Sequence, residues 1–170
     1  MTERDLKIVD FISKCPCSSS TIQKIFFQGK SMRMANKRLY KLFNYGYIKR
    51  IRSNSWENYT YYLNRKPAQL MHSDCIARSY LWLLEHGYII YDFEIQKQYD
   101  KVRPDLTADI ERSGKRGLVA VEVELSNNDV KNKIKSYEQQ SLFKSLILVS
   151  GKDQQSNLIK ITNINIKELP

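Results

Sequence analysis

The sequence lacks several features that would assign it to a common class of protein. No apolar run is long enough to span a membrane, and the charged first residues do not resemble a signal peptide. The cysteines are odd in number, and Cys15-Pro16-Cys17 has neither zinc nor thioredoxin spacing. His72 and Cys75 lie three positions apart, but no second pair of metal ligands follows them. We therefore expect a cytoplasmic protein whose cysteines are reduced, structural or surface thiols.

Negative charge is scarce in one part of the chain. Residues 1–66 contain 14 Lys and Arg but only 4 Asp and Glu, whereas residues 67–170 contain 14 of each kind. The whole net charge of +10 therefore falls in the first part. A basic module of this size indicates a polyanionic partner, and double-stranded DNA is the one we expect. The alternative is a soluble domain that happens to be basic.

The apolar periodicity of this basic part predicts three helices and a hairpin. The first helix covers about 3–14, the second lies between 18–20 and Gly29, and the third lies between Ser31 and Gly46. Two strands, around a turn at 53–55, follow them. This order resembles a winged helix-turn-helix, and the resemblance extends over nearly all of 1–66.

The third predicted helix has two chemically different faces. Ala35, Leu39 and Leu42 recur at helical spacing on one face, which suits docking against the other helices. The opposite face and the hairpin carry long polar donors that we expect to contact DNA: Arg33, Asn36, Lys37 and Lys41 on the helix, and Lys49, Arg50 and Arg52 on the hairpin. Asn36 suits adenine and Arg33 suits guanine. The alternatives are a solvated helix face and an exposed strand pair.

A polar segment with a proline, Asn64-Arg65-Lys66-Pro67, predicts the boundary between two domains, 1–66 and 67–170. The second domain shows a helical pattern up to Gly87, strands over about 88–99 and 105–124 with a turn at 113–117, and a helix over about 128–142. A buried strand over 146–149 follows, and then a final strand or helical turn near 158–166. The predicted class is therefore α+β, with a small α/β second domain whose mixed sheet is flanked by helices.

Three acidic residues of the second domain are expected to meet. Side chains alternate along a strand, so Glu122 and Glu124 share a face, and a neighbouring strand brings Asp105 beside them. Such a cluster is costly unless a metal, another cation or solvent balances its charge. Asp105 and Glu122 could hold Mg²⁺ or Mn²⁺, with Glu124 as a third ligand. Ion pairing with Arg103 or Lys131 is the alternative.

Pro104-Asp105 followed by Glu122-Val123-Glu124 resembles the PD-(D/E)xK nuclease signature. The resemblance implies a restriction-endonuclease-like fold and a metal-dependent DNA endonuclease with catalytic Asp105, Glu122 and Glu124. Glu124 stands where that family has its lysine, and Lys131 and Lys135 on the next helix are candidate replacements. The other interpretation is a nuclease fold without nuclease activity, kept for DNA contact or protein assembly.

The order of these features also resembles the replication-relaxation family of bacterial plasmids and integrative elements. The resemblance rests on a winged helix followed by Arg103-Pro104-Asp105-Leu106 and by Val-Glu-Val-Glu-Leu-Ser at 121–126. It implies a DNA-binding accessory or regulatory protein in plasmid replication, mobilisation or conjugation. The implied partners are duplex DNA and a relaxase or replication initiator, with no membrane. We also expect a homodimer, because helix-turn-helix proteins often bind two DNA half-sites as dimers.

Overall fold

The structure is a computed structural model that describes residues 1–125, 130–151 and 159–165. It is α+β, with five helices in that part of the chain and a mixed larger sheet. Contacts divide the chain into two compact units, Met1–Leu81 and Trp82–Pro170. The division falls inside a helix, beyond the linker predicted at 64–67. Among the described helices, none has the length and apolar character needed to cross a membrane.

The first unit contains three helices, a small antiparallel sheet and the beginning of a fourth helix. In chain order these are α1 Glu3–Lys14, β1 Cys17–Ser18, α2 Ser19–Phe26, α3 Met32–Asn44, β2 Lys49–Ile51, β3 Thr60–Tyr62 and α4 Leu70–Glu85. The strand order is β1-β3-β2. The predicted helices and hairpin are present. Strand β1 was not predicted, because two residues carry no periodicity.

Local hydrogen bonds explain where the first two helices begin. Thr2 and Asp5 form a reciprocal capping box at the start of α1. The Ser18 hydroxyl accepts the Thr21 N–H at 3.2 Å at the start of α2. Asp74 on α4 accepts the Ser18 N–H at 2.7 Å and the Thr21 hydroxyl at 2.8 Å. These contacts tie the beginning of α2 to a residue distant in sequence.

The second unit is a five-stranded sheet with a helix that connects two of its strands. Its elements are β4 Ile89–Ile95, β5 Leu106–Arg112, β6 Lys115–Glu124, α5 Val130–Glu138, β7 Phe143–Gly151 and β8 Ile159–Asn165. The strand order is β4-β5-β6-β7-β8, and only the β6–β7 pair of this sheet is parallel among the described strands. The predicted mixed sheet is confirmed. The expected start of the helix near 128 lies outside the described residues.

Strand β6 is central and positions the acidic residues. The hairpin before it turns at Ser113-Gly114, where φ is 53° and 77°. Positive φ at both central residues is typical of a two-residue hairpin turn, so the turn predicted at 113–117 was too long. Ala120, which alternates with Glu122 on β6, belongs to a buried cluster with Tyr137 of α5. The face of β6 that carries the glutamates therefore lies under α5.

Candidate nucleic-acid interface and acidic cluster

Helix α3 has the two faces that its sequence predicts. Ala35, Leu39 and Leu42 are buried in the first unit. The other face is exposed and carries Arg33, Asn36, Lys37 and Lys41. Arg33, Lys37 and Lys41 are each four residues apart, so they form one stripe along the helix. The helix contains no Asp or Glu, so no acidic side chain of its own neutralises this stripe.

A fourth cation of α3 has a different role. Arg38 forms a two-pronged ion pair with Asp5 of α1, whose side chain is only 1% exposed. The pKa of Asp5 is well below its ordinary value, mainly because Arg38 donates hydrogen bonds to its carboxylate. Arg38 therefore fixes α3 on α1.

The hairpin β2–β3 carries the other predicted DNA-binding residues. Lys49 and Arg52 are exposed. The Arg50 guanidinium lies over three rings, at 4.1 Å from the centroid of Tyr59, 4.2 Å from Phe43 and 5.6 Å from Tyr40. These are cation–π distances, and two of the rings belong to α3. Arg50 thus joins the hairpin to the helix, a contact that the sequence did not predict.

The three predicted acids of the second unit do come together. Asp105 lies just before β5, and its Oδ2 accepts the Val123 N–H at 2.9 Å. Glu122 accepts a hydrogen bond from the Tyr137 hydroxyl on one oxygen and from Lys133 at 3.2 Å on the other. Lys133 also donates to Glu124 Oε1. Glu124 Oε2 is buried and has no hydrogen-bond partner among the described residues.

Burial dominates the electrostatics of this cluster. It raises the pKa of Glu122 above its usual range, although Tyr137 and Lys133 oppose the shift, and the charge of Asp105 adds to it. The pKa of Tyr137 is raised well above its usual range, chiefly by burial and secondly by the hydrogen bond to Glu122. Burial alone would lower the pKa of Lys133, but its bonds to Glu124 and Glu122 raise it. The ammonium therefore remains charged at neutral pH.

A cation that the sequence did not suggest supplies charge at this cluster. It is Lys133, which bonds to Glu122 and Glu124. Lys135 is exposed, and the side chain of Lys131 lies outside the described residues. Arg103 is exposed and donates to the carbonyl oxygen of Gln96 at 2.8 Å. The available signal was helical spacing, because Lys133 lies one turn before Tyr137, an aromatic residue suited to the buried face of the helix.

The donor set can be tested against the metal that the nuclease resemblance implies. No group of three or more metal-binding side chains is found in residues 1–125, 130–151 and 159–165. Asp105 and Glu122 are near enough for their charges to interact, and Mg²⁺ is often held by one or two carboxylates together with substrate phosphates. Glu124 Oε2 supplies a further buried oxygen without a partner. The described residues therefore form no three-carboxylate cage, and a Mg²⁺ or Mn²⁺ ion here would have to be held by two carboxylates, those of Asp105 and Glu122.

The chain was compared with family models, curated proteins and solved structures, and none of them matches it.

Proposed function

We propose that this protein binds double-stranded DNA through α3 and the β2–β3 hairpin of its first unit. The observation that carries the proposal is the exposed stripe of Arg33, Lys37 and Lys41 on a helix without acidic residues, whose opposite face is fully buried. A helix of this kind fits the major groove, and its cations neutralise phosphates.

The hairpin supports the same function. Arg50 holds it against Tyr40 and Phe43 of α3, so its exposed cations, Lys49 and Arg52, belong to an element fixed beside the helix. In this arrangement Lys49 and Arg52 contact phosphates or the minor groove, while Arg33 and Asn36 are the candidates for reading bases. Arg50 acts by positioning the hairpin.

The test measures fluorescence anisotropy of a labelled mixed-sequence duplex at several salt concentrations. The triple variant Arg33→Ala, Lys37→Ala, Lys41→Ala should weaken binding. Its slope of log affinity against log salt should fall by about 0.9 for each phosphate contact that is lost. Lys101→Ala is the matched control, since it removes an exposed lysine from the second unit and should change neither quantity. Equal affinity and salt slope for the triple variant and the wild type would reject the proposal.

The biological setting that we propose is a mobile genetic element. The chain would act as a DNA-binding accessory in plasmid replication or mobilisation, beside a relaxase or initiator, as its resemblance to the replication-relaxation family implies. Co-purification of the full chain with such a protein, lost on DNase treatment, would indicate assembly on shared DNA. Persistence after DNase would indicate a direct contact.

A second candidate function is a metal-dependent DNA endonuclease, and the placement of Lys133 favours it. A lysine from α5 bonds to Glu122 and Glu124, so the cluster combines acids with a lysine, which the sequence motif alone lacks. A bound Mg²⁺ would supply charge stabilisation at a phosphoryl oxygen and a more acidic water. In this role Asp105 and Glu122 would hold the ion, and Lys133 would hold Glu122 and Glu124 in place.

Incubation of supercoiled plasmid with Mg²⁺ or Mn²⁺ tests this candidate. Nicking that disappears in Asp105→Ala and in Lys133→Met, but not in Lys135→Met, would support it. Absence of nicking, or nicking that survives Asp105→Ala, would reject it. Melting temperature with and without Mn²⁺ gives a second readout, because a bound ion stabilises the folded state by mass action.

A further inference from the structure

Trp56 is the most exposed large apolar side chain among the described residues. It is 95% exposed and lies in the loop between β2 and β3. An indole is usually largely buried, and aromatic side chains dominate the energetics of cores and interfaces. A tryptophan left almost entirely in water therefore indicates a contact that the isolated chain does not make.

The loop around this ring is held by its own hydrogen bonds. Asn54 Oδ1 accepts the N–H groups of Trp56 at 3.0 Å and of Glu57 at 3.1 Å. The Asn54 amide donates to Glu57 Oε1 at 2.9 Å, and Arg52 donates to the Ser55 carbonyl at 3.2 Å. The backbone that presents the indole is thus ordered in advance, which lowers the entropic cost of using it in binding.

The surroundings of the loop indicate a polyanion rather than a neutral partner. Its stem carries exposed Lys49 and Arg52, and Arg50 joins that stem to the outward-facing Tyr40 of α3. The one acid in the loop, Glu57, is hydrogen-bonded to Asn54. An exposed aromatic ring at the tip of a cationic hairpin, fixed beside a cationic helix, suits a surface that combines phosphates with stacked bases.

We propose that Trp56 is an apolar wedge that stacks on a base step of duplex DNA from the minor groove and kinks the duplex there. The proposal rests on the DNA binding proposed above and adds to it a deformation of the DNA. Apolar side chains inserted between base steps kink duplexes by roughly 20–90°. In this arrangement α3 and the stem supply the charge, and Trp56 supplies preference for steps that unstack easily.

The experiment uses the full chain, which has two tryptophans, Trp56 and Trp82. In Trp82→Phe, the emission of Trp56 is followed while an unlabelled duplex is added. DNA should quench this emission, and the midpoint of the quenching titration should equal the midpoint of the anisotropy titration with a labelled duplex. Bending is measured by energy transfer between dyes at the two ends of the duplex.

The key variant is Trp56→Ala. It should weaken binding about tenfold, since one base–aromatic stack contributes about 1–3 kcal/mol. The bend should disappear while the salt slope stays unchanged, because no charge is removed. Trp56→Phe should retain part of both affinity and bend. Tyr91→Ala, at an exposed aromatic residue of the second unit, is the matched control and should change neither.

The outcomes separate the two proposals. If the wild type binds no duplex, both fail. In another outcome, binding depends on Arg33, Lys37 and Lys41 while Trp56 emission stays constant and Trp56→Ala bends DNA as the wild type does. In that case the wedge is wrong, and the DNA-binding function stands. Weaker binding by Trp56→Ala with an unchanged bend would also overturn the wedge, leaving Trp56 as a simple contact.

Discussion

Replacing Lys133 with methionine tests whether this ammonium is the counterion of the two buried glutamates. Methionine keeps the length and helix propensity of the side chain but removes the charge. The side chains of Glu122 and Glu124 are only 9% and 7% exposed, so the substitution leaves two carboxylates in a poorly hydrated site. We expect Lys133→Met to destabilise the second unit.

The magnitude follows from burial. Breaking a fully buried ion pair costs about 3–5 kcal/mol, and an exposed pair contributes about 0–1 kcal/mol. The Lys133 side chain is 39% exposed, so solvent screens part of the interaction. An intermediate loss of about 2 kcal/mol is expected. For a domain of this size that corresponds to a melting temperature lower by about 8–16 °C.

The assay follows Trp82 fluorescence during urea and thermal unfolding in a Trp56→Phe background, where Trp82 is the remaining tryptophan and reports on the second unit. Lys135→Met is the matched control, because it removes an exposed lysine from the same helix and should change stability by less than about 0.5 kcal/mol. Glu122→Gln with Glu124→Gln should recover part of the loss in Lys133→Met. Equal stability of Lys133→Met and Lys135→Met would refute the assignment of Lys133 as the counterion.

Three further predictions concern other buried groups. Arg38→Met should cost the first unit about 2 kcal/mol at neutral pH, measured by circular dichroism, because it leaves Asp5 buried without its partner. The pKa of Asp5 is lowered in the folded state, so the stability difference between the wild type and Arg38→Met should be present above about pH 4. It should disappear as pH falls through the pKa that Asp5 has in the folded state. A stability difference independent of pH would contradict this prediction. The pKa of Glu122 is raised in the folded state, so the folded chain keeps a proton that the unfolded chain releases as pH rises. The free energy of unfolding should therefore fall as pH rises above about 4.3. In Glu122→Gln, the urea midpoint should depend less on pH over that range. The three cysteines should resist a thiol-specific disulfide reagent at pH 8 until urea is added, because all are buried and burial raises the pKa of each thiol; rapid native labelling would show that the chain opens locally at Cys15, Cys17 or Cys75.

The limits of sequence reasoning are clearest in the acidic cluster. Alternation along a strand placed Glu122 and Glu124 on one face, and the pairing of β5 with β6 brought Asp105 to them, as predicted. The identity of the cation could not be predicted in this way. Lys133 and Lys135 differ in direction around α5, and which of them meets the acids depends on how that helix is rotated against the sheet.

In the first unit, too, the sequence predicted the faces of a helix but not a contact between elements. Helical spacing alone separated the buried and exposed faces of α3, because a period of 3.6 residues is a local property of the chain. From the sequence, Arg50 and Arg52 were both expected to contact DNA from the hairpin, with nothing to distinguish them. Only the packing of the hairpin on α3 showed that Arg50 lies among three rings.

The sequence by itself determined the class of most elements, the basic character of residues 1–66 and the sharing of one strand face by the two glutamates, because these depend on composition and on periods of a few residues. The tertiary structure decided which cation meets which acid, which arginine is held by aromatic rings and which tryptophan remains in water. Those outcomes depend on distances between residues far apart in the chain, which are set when helices and strands pack together.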